Sequence, residues 1–389
     1  MRSVQLDFTD PTFPARLVEV DEPALPGRRW ARVKVLGGGI CGSDLHFFRE
    51  TTGPMPLLGP FAPIPMQLGH EVGGVVIEAG PDCPVKVGSR VAIDPTISCV
   101  AREIDPPCKQ CAAGAPGACY NLSSKILTPG LMLGVTYGLG GGWSEQVVAH
   151  ASMLHPLPEG VSDLAITLHE PLSIAIHGLL RSPPPDGAPV LVAGAAIIGL
   201  GAIAGLRALF PAAEVTVLAK HEHQARAAER LGAKHVVRLD PAGGHIEELA
   251  RIAGTKTLGT GNDAMLVGGF PYVVEAVGTP QSVTQALRCA DGRGTVLFLS
   301  ITGLVNVDLS PIWLKELAFV GALIHAADPG PHGGSSAHSV DRALKIIAKG
   351  AFPAEALVTH EMPLADFRRG VEAALDRAAS KVIKVVLRP

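Results

Sequence analysis

The stretch from Pro189 to Leu206 carries no charged residue, and it limits the possible folds of this chain more than any other segment. About 18 consecutive apolar residues can form a membrane-spanning helix. Glycines interrupt this stretch, however, and the loop sequence SPPPDG precedes it. Val190 to Ala193 is typical of a buried strand, and Gly194 to Gly199 of a tight turn. We therefore expect a buried parallel strand that leads into a buried helix, rather than a membrane span.

The segments that follow alternate in character. Strand-like runs (VLVA, VTVL, HVV, YVVEAV and TVLFLS) alternate with Ala-rich helical segments such as EHQARAAERLG and TPQSVTQALRCA. Such alternation predicts βαβ units and a doubly wound parallel sheet. After Pro311 come the helical segments SVDRALKIIAKG and DFRRGVEAALDRAA, and then a last strand, KVIKVVL.

The first 150 residues have a different pattern. They are rich in Gly and Pro, and their short β-branched runs lie at Arg32–Leu36, Val72–Gly80 and Val87–Ile93. This pattern predicts an antiparallel, barrel-like β domain with long loops. Because the 389 residues exceed the length that one core usually supports, about 250 to 300 residues, we expect two domains of an α/β protein.

Composition excludes several classes of function. A net charge of -3 gives no reason to expect nucleic acid or an anionic membrane surface as a partner. The start, MRSVQLDFTD, lacks the basic and then apolar profile of a signal peptide, so we expect a cytoplasmic protein. In that compartment the seven cysteines indicate metal binding or packing rather than disulfides.

The turn after the first strand of the parallel sheet resembles a nucleotide-binding turn. Strand, turn and helix start meet where a dinucleotide pyrophosphate would accept hydrogen bonds from free helix N–H groups. The motif G-x-G-x-x-G is incomplete, because alanine replaces its middle glycine, and an ordinary tight turn is the alternative. The candidate cofactor-binding residues of this turn are Gly194, Ala196, Ile197, Ile198 and Gly199.

Two groups of residues are candidates for metal binding. Cys41 and His70 each lie in a glycine-rich segment beside carboxylates, and Glu170 supplies a third donor, which is typical of a catalytic zinc site with an open position. Asp44 is a candidate to orient the His70 ring.

The second group is a closely spaced set of cysteines. Cys108, Cys111 and Cys119 form a compact thiolate triad that would hold a structural zinc ion with one more ligand. Cys99 and Asp105 are the candidates for this fourth ligand, and we favour Cys99, because thiolate is the commoner partner in closed zinc sites.

Taken together, these motifs resemble the zinc-dependent medium-chain dehydrogenase/reductase family, in its branch of polyol, sugar and threonine dehydrogenases. The segment GHEVGGVVIEAGPDC resembles the zinc signature of that family, and GICGSDLHFF, GGWSEQVV, EPLSIAIH, VVEAVGTP and KVIKVVL agree with it in order. The resemblance implies a GroES-like catalytic domain of residues 1–171, completed by a C-terminal return over 312–389. It also implies a Rossmann domain over 172–311 and a homodimer or homotetramer.

The resemblance also assigns roles to residues. Cys41, His70 and Glu170 correspond to the ligands of the catalytic zinc. Glu71 is a close companion that some members use as a ligand. The remaining assignments are Ser43 and His46 to the proton relay, Val277 to the cofactor site, and Lys384 to a basic residue near the pyrophosphate. The loop from Thr51 to Met66 is longer than the family pattern, and we expect it to reshape the substrate entrance.

The end of the second strand of the Rossmann domain bears on the choice of cofactor. There an acidic residue would bind the adenosine ribose and select NAD, but the position falls on Ala219, and Lys220, His221 and Arg226 follow. Because these basic groups can pair with a 2'-phosphate, we expect NADP(H) to be preferred over NAD(H). The alternatives are a metal site at His221-x-His223 and a solvated helix start; the latter still suits His223.

The sequence thus predicts a zinc-dependent oxidoreductase. It would transfer a hydride between a small-molecule alcohol (a polyol, a sugar or another secondary alcohol) and NADP(H), giving the ketone or aldehyde. The alternatives are an NAD-dependent dehydrogenase of the same branch, a zinc-independent reductase, and a non-catalytic cofactor-binding protein on the same fold.

Overall fold

The computed structural model describes residues 1–7, 12–49, 65–303 and 305–389. Most of the loop expected at the substrate entrance therefore lies outside the described residues. The strands are β1 (Arg2–Leu6), β2 (Ala15–Glu19), β3 (Trp30–Gly39), β4 (Met66–Gln67), β5 (Val72–Ala79), β6 (Arg90–Ile93), β7 (Gln146–His150), β8 (Leu154–Pro156), β9 (Pro189–Ala193), β10 (Glu214–Ala219), β11 (His235–Arg238), β12 (Thr257–Leu258), β13 (Met265–Leu266), β14 (Phe270–Glu275), β15 (Ala290–Phe298), β16 (Ala318–Gly321), β17 (Ala327–Asp328), β18 (Ala337–His338), β19 (Val358–Pro363) and β20 (Lys384–Arg388).

The helices follow the same chain order. They are α1 (Gly42–Arg49), α2 (Lys109–Ala112), α3 (His169–Arg181), α4 (Ile197–Leu209), α5 (Glu222–Arg230), α6 (Gly244–Ile252), α7 (Pro280–Cys289), α8 (Ser310–Leu314), α9 (Ser339–Ala348), α10 (Ala354–Leu357), α11 (Phe367–Leu375) and α12 (Arg377–Ser380).

The chain divides into two compact units. The first contains residues 1–170, 324–327 and 340–389, and the second contains 171–323 and 328–339. The second compact unit continues to residue 323, past the domain boundary predicted at residue 311, which stays a prediction. The reason is β16, which pairs in parallel with β15 and so extends the second unit beyond that position.

The first unit is built on β-sheets. Its seven-stranded sheet has the order β19-β20-β3-β5-β6-β8, with β7 paired to β3. The pairs of β3 with β5, β7 and β20 are antiparallel, and only β19 and β20 run parallel. Trp30, Val33 and Val72 are fully buried in one core of this unit. Because β20 pairs with β3, the C-terminal segment of the chain contributes a strand to the sheet that the N-terminal segment forms.

The second unit is built around a parallel six-stranded sheet in the order β11-β10-β9-β14-β15-β16. All five strand pairs are parallel, as the alternation of strands and helices predicts. The uncharged stretch forms β9 and α4, a buried strand and a largely buried helix. The predicted fold class, a β-rich GroES-like domain with a parallel Rossmann sheet, is confirmed. Across the described residues, no helix combines the length and apolar character that crossing a bilayer requires.

Candidate functional site

The first unit brings three candidate metal ligands together. Cys41 lies between β3 and α1, and His70 and Glu71 directly precede β5. The donor atoms of these three residues lie within 4.8 Å of one another. His70 is 6% exposed and Glu71 is fully buried. A sulfur, an imidazole nitrogen and a carboxylate oxygen form a donor set that zinc accepts, so these residues fit the metal that the sequence predicts.

Asp44 supports two members of this group from the first turn of α1. Its Oδ2 accepts a hydrogen bond of 2.9 Å from the Cys41 backbone N–H. Its Oδ1 lies 3.7 Å from His70 Nδ1, an ion-pair distance rather than a hydrogen bond. A carboxylate beside a ligating histidine fixes the orientation of the ring, which is the role expected for Asp44.

Glu71 and Lys384 form a fully buried ion pair next to the Cys41 group. Lys384 Nζ also donates a hydrogen bond of 2.9 Å to the Ile40 carbonyl. A Cβ atom on Gly39 would lie 1.9 Å from Glu71 Oε2, so this strand position must be glycine for the carboxylate to fit. The role expected for Lys384 near a pyrophosphate stays a prediction, and within the first unit its amino group binds Glu71.

Glu170, on the first turn of α3, does not belong to the compact group of three donor residues, but its charge acts on His70. Burial lowers the pKa of His70, but the negative charges of Asp44, Glu170 and Glu71 raise it. The pKa of His70 is raised as a result. Burial raises the pKa of Glu170 itself. His325 Nε2 lies 3.6 Å from Glu170 Oε1, and His325 Nδ1 lies 2.9 Å from Asp94 Oδ1. Sequence reasoning missed His325, because a lone histidine far along the chain carries no local signal.

The Cys41 thiol is held in its neutral form in the absence of metal. Burial raises its pKa to about 12, and the neighbouring Glu71 adds to this effect. A hydrogen bond with Ser43 acts in the opposite direction. Because only the thiolate binds metal, occupation of the group must release a proton from Cys41.

The two residues of the predicted proton relay lie together on α1. Ser43 and His46 are both half-buried, and they are three positions apart. Residues at this spacing share one face of a helix. The structure therefore places Ser43 beside Cys41, with His46 one turn further along, and the relay itself stays a prediction.

The four cysteines of the second group also meet in the first unit. The Sγ atoms of Cys99, Cys108, Cys111 and Cys119 lie within 4.8 Å of one another. Those of Cys99 and Cys119 are 3.6 Å apart. Among the described residues Asp105 is not part of this group, so the geometry favours Cys99 as the fourth donor.

Backbone and amide N–H groups point at these sulfur atoms. The Cys108 N–H donates to Cys99 Sγ at 3.3 Å, and the Asn121 side-chain amide donates to the same sulfur at 3.2 Å. Hydrogen bonds from the Cys111 and Tyr120 N–H groups lower the pKa of Cys108 to about 6. Such donors stabilise thiolates, and a closed site of four thiolates suits a structural zinc ion.

The second unit contains the turn expected to bind a dinucleotide. Gly194 has φ 110°, a left-handed conformation that favours glycine. A Cβ on Gly199 would lie 1.9 Å from the Gly194 carbonyl oxygen, so the third glycine of the motif allows the helix to approach the turn. Ala196 has φ -77° and ψ -178°, an extended conformation that any residue adopts, and it precedes α4, which begins at Ile197 and Ile198. The missing glycine therefore causes no backbone strain.

Val277 lies against the same turn, as expected for a residue of the cofactor site. Its Cγ2 is 2.4 Å from the position that a Cβ on Gly194 would take, and its side chain is 47% exposed. The buried Glu275 carboxylate accepts hydrogen bonds from the N–H groups of Val277 and Gly278, each at 3.0 Å. The loop after β14 is thereby fixed beside the turn.

The end of β10 has the basic surroundings that the sequence predicts. Ala219 is its last residue, Lys220 is exposed, and His221 caps α5. The His221 and His223 rings stack with centroids 5.5 Å apart. Among the described residues they belong to no group of metal donors, which leaves the His-x-His metal site without support.

Sequence reasoning missed a further cation at this position. Arg238 is the last residue of β11 and lies opposite Ala219 in the sheet register. It donates a hydrogen bond of 3.0 Å to the Lys220 carbonyl and pairs with Glu222. Glu222 also pairs with Arg226 at 3.0 Å, and its pKa is lowered by these arginines. In the sequence, the only indication of this cation is that the strand-like segment HVVR (His235–Arg238) ends on an arginine. The register of β10 and β11 is what places that arginine beside Ala219.

Comparison with known proteins agrees with this geometry. The alcohol dehydrogenase GroES-like domain family matches residues 27–159, and the zinc-binding dehydrogenase family matches residues 198–331. The chain belongs to the zinc-dependent alcohol dehydrogenase superfamily. This superfamily is the medium-chain dehydrogenase family that the motifs resemble, and the relatives place the chain in its polyol-like branch. The chain is thus an enzyme, an alcohol or polyol dehydrogenase.

Three relatives of this dehydrogenase span nearly its whole length. An (R,R)-butanediol dehydrogenase from Bacillus subtilis (strain 168) is 29% identical, with 96% of each chain covered. A sorbitol dehydrogenase from Arabidopsis thaliana is 27% identical, over 91% of this chain and 87% of its own. A solved structure described as a zinc-binding dehydrogenase from Sinorhizobium meliloti 1021, bound to NADP, is 26% identical with a TM-score of 0.74; the likeness covers 100% of this chain and 99% of that one.

Proposed function

We propose that this dehydrogenase oxidises a secondary alcohol of a polyol, diol or sugar to the ketone, in the direction that reduces NADP, and catalyses the reverse reaction. The observation that carries the proposal is the buried group of Cys41, His70 and Glu71 in the first unit. Glu170, whose charge acts on His70, is the second candidate for the carboxylate ligand of zinc. The polyol or diol class follows the named activities of the butanediol and sorbitol dehydrogenases to which the chain is similar.

The residues of the first unit have distinct tasks in this mechanism. When bound, zinc polarises the substrate oxygen and lowers the pKa of the hydroxyl group. Cys41, His70 and a carboxylate would hold the ion, and Asp44 keeps the His70 ring in its orientation. Ser43 accepts the hydroxyl proton, and His46 passes it toward solvent.

The second unit has the task of positioning the cofactor. The N–H groups at the start of α4 would bind the pyrophosphate, and Val277 flanks the turn. When bound, the nicotinamide would accept a hydride, and with it two electrons, from the substrate carbon, while Ser43 takes the hydroxyl proton. The protein thus supplies binding and orientation, and the nicotinamide accepts the electrons.

We propose that NADP(H) is preferred because the last residue of β10, Ala219, carries no carboxylate. Lys220, Arg226 and Arg238 place positive charge around Ala219, which suits the 2'-phosphate. Glu222 opposes this preference in part, since it pairs with both arginines. The solved relative bound to NADP supports the same choice.

The proposal is tested with a panel of alcohols, vicinal diols, sugar alcohols and the matching ketones, each assayed with NADP and with NAD. We expect turnover of a diol or polyol, with a higher kcat/KM for NADP. A chain that contains zinc but oxidises none of these alcohols and reduces none of these ketones would contradict the assigned activity. A higher kcat/KM for NAD would contradict the cofactor assignment alone.

Replacing Ala219 with aspartate is expected to lower the ratio of kcat/KM for NADP to that for NAD about 100-fold. A carboxylate at this position repels the 2'-phosphate, a like-charge contact that costs several kcal/mol, and about 1.4 kcal/mol corresponds to a factor of ten. Steady-state kinetics with both cofactors measures the ratio.

The matched control for this variant is Ala212→Asp. It adds the same charge at an exposed position just before the amino end of β10, and we expect it to leave the ratio unchanged. Because Ala219 is fully buried, thermal unfolding of both variants checks that the fold is retained. A ratio that stays constant or rises in a folded Ala219→Asp variant is inconsistent with this assignment.

We propose further that Cys99, Cys108, Cys111 and Cys119 hold a structural zinc ion, so that the chain contains two zinc ions in all. Metal analysis of the purified chain and of a Cys108→Ser variant tests this, and an unchanged zinc content of the variant would refute it.

The resemblance also favours a homodimer or homotetramer. Light scattering of the purified protein would determine its oligomeric state.

A further inference from the structure

Glu275 is the last residue of β14, and its carboxylate is fully buried within the second unit. Its Oε1 accepts hydrogen bonds of 3.0 Å from the N–H groups of Val277 and Gly278, and one of 2.7 Å from the Ser282 hydroxyl. Its Oε2 accepts a hydrogen bond from the Ser300 hydroxyl. All four donors are neutral groups. Because an ionised carboxylate is costly to bury unless its oxygens are hydrogen-bonded, the fold can keep Glu275 there only while these donors stay in position.

The four donors belong to the connections that follow two neighbouring strands. Val277, Gly278 and Ser282 lie on the segment from the end of β14 to the first turn of α7, and all three bind Oε1. Ser300 follows β15 and binds Oε2. The two connections also touch directly, since a Cβ on Gly278 would lie 2.4 Å from the Ile301 carbonyl oxygen. The carboxylate therefore fixes one connection with each of its oxygens.

The connections after β14 and β15 lie on one side of the switch point of the parallel sheet. The strand order reverses between β9 and β14, so that β10 and β11 lie on one side of this point and β15 and β16 on the other. A dinucleotide binds across such a switch point, at the carboxyl ends of the strands. The position expected to contact the adenosine ribose is Ala219, at the end of β10. The nicotinamide half would therefore lie over the connections that Glu275 holds.

We infer that Glu275 is a positioning residue for the nicotinamide half of the cofactor, because its carboxylate holds the connections after β14 and β15 in one arrangement. This inference rests on the proposed function. Val277 and Ile301, one on each connection, are 47% and 40% exposed. The two connections thus expose apolar side chains, which suit the face of an aromatic ring. The adenosine half would bind at the end of β10, so we expect its affinity not to depend on Glu275.

Three variants of the full, zinc-loaded chain separate the hydrogen bonds of Glu275 from its bulk. Glu275→Ala removes the carboxylate, and Ser300→Ala removes the donor of the second connection alone. Glu275→Gln keeps the shape, since its amide oxygen can accept from the N–H groups and its amide nitrogen can donate to Ser300. Ser310→Ala is the matched control, because the Ser310 hydroxyl donates to the Asp308 carboxylate at 2.6 Å elsewhere in the same unit.

Isothermal titration calorimetry measures the affinity of each variant for NADPH and for adenosine 2',5'-bisphosphate, which is the adenosine half alone. NADH and AMP replace them if the parent chain prefers NADH. We expect Glu275→Ala to bind NADPH about 10- to 100-fold more weakly and Ser300→Ala about 10-fold more weakly, the range for hydrogen bonds to a charged group. Glu275→Gln should stay within about threefold of the parent chain. The affinity for the adenosine half should be unchanged in every variant, and Ser310→Ala should change neither affinity.

Thermal unfolding without cofactor shows which variants are folded. If Glu275→Ala does not fold, Ser300→Ala decides, since it keeps the carboxylate and its three donors on the first connection. An equal loss of affinity for NADPH and for the adenosine half would overturn the inference. NADPH binding like that of the parent in either folded alanine variant would also overturn it, as would equal losses in Glu275→Gln and Glu275→Ala. If the parent chain binds neither NADPH nor NADH, the proposed function fails, and the role of Glu275 fails with it.

Discussion

Replacing Cys41 with serine is expected to lower turnover about 1,000-fold or more and to remove one zinc ion per chain. Metal polarisation of the substrate oxygen contributes several kcal/mol to lowering the barrier, and each 1.36 kcal/mol corresponds to about a factor of ten in rate. Serine is a poor zinc ligand at neutral pH, because its hydroxyl does not ionise there. Steady-state kinetics with the best substrate of the panel and elemental analysis of the same preparation measure the two effects.

The control for this variant is Cys83→Ser. Cys83 is half-buried, and among the described residues it belongs to neither group of metal donors. We expect this variant to keep its zinc content and its turnover. Circular dichroism and thermal unfolding check that both variants are folded. A Cys41→Ser chain that turns over at the normal rate without its second zinc ion would refute the proposed mechanism.

Replacing Lys384 with methionine is expected to destabilise the metal-free protein by about 3–5 kcal/mol. This is the usual effect of removing one partner from a buried ion pair, because the other charge is left buried and uncompensated. Here the remaining charge is that of Glu71, which is 0% exposed, and the Ile40 carbonyl also loses its donor. Urea unfolding of the EDTA-treated protein, monitored by tryptophan fluorescence, measures the change in free energy of unfolding.

The double variant Glu71→Gln/Lys384→Met serves as the matched comparison. It removes both charges, so we expect it to recover much of the stability that Lys384→Met loses. If the single and double variants are equally unstable, the lost packing of the lysine stem is responsible rather than the charge of Glu71. The same cycle with bound zinc shows whether the metal can replace Lys384 as the partner of Glu71.

The local part of the candidate sites could be predicted from the sequence because it depends on neighbours along the chain. The turn after β9 needs Gly194 for its left-handed backbone and Gly199 for the approach of the helix, and both requirements are met within six residues. The four cysteines lie within one loop region, so their meeting needs no distant contact. Ala219 could be located by counting along one strand and one helix. In each case the spacing along the chain determines the geometry.

The sequence could not identify the partners that surround these residues. Lys384 meets Glu71 because β20 pairs with β3, which brings together residues more than three hundred positions apart. His325 reaches Asp94 across 231 positions, and Arg238 lies beside Ala219 through the register of β10 and β11.

The sequence by itself determined the α/β architecture, the dinucleotide turn and the types of metal donor. These follow from hydrophobic periodicity, from glycine conformation and from the chemistry of Cys, His and Glu. Only the tertiary structure decided which charges are buried against which, because strand register and packing set those distances. It placed Glu71 beside Cys41 and His70 and gave Glu71 the Lys384 partner. The electrostatic environment of each site is therefore a property of the folded chain.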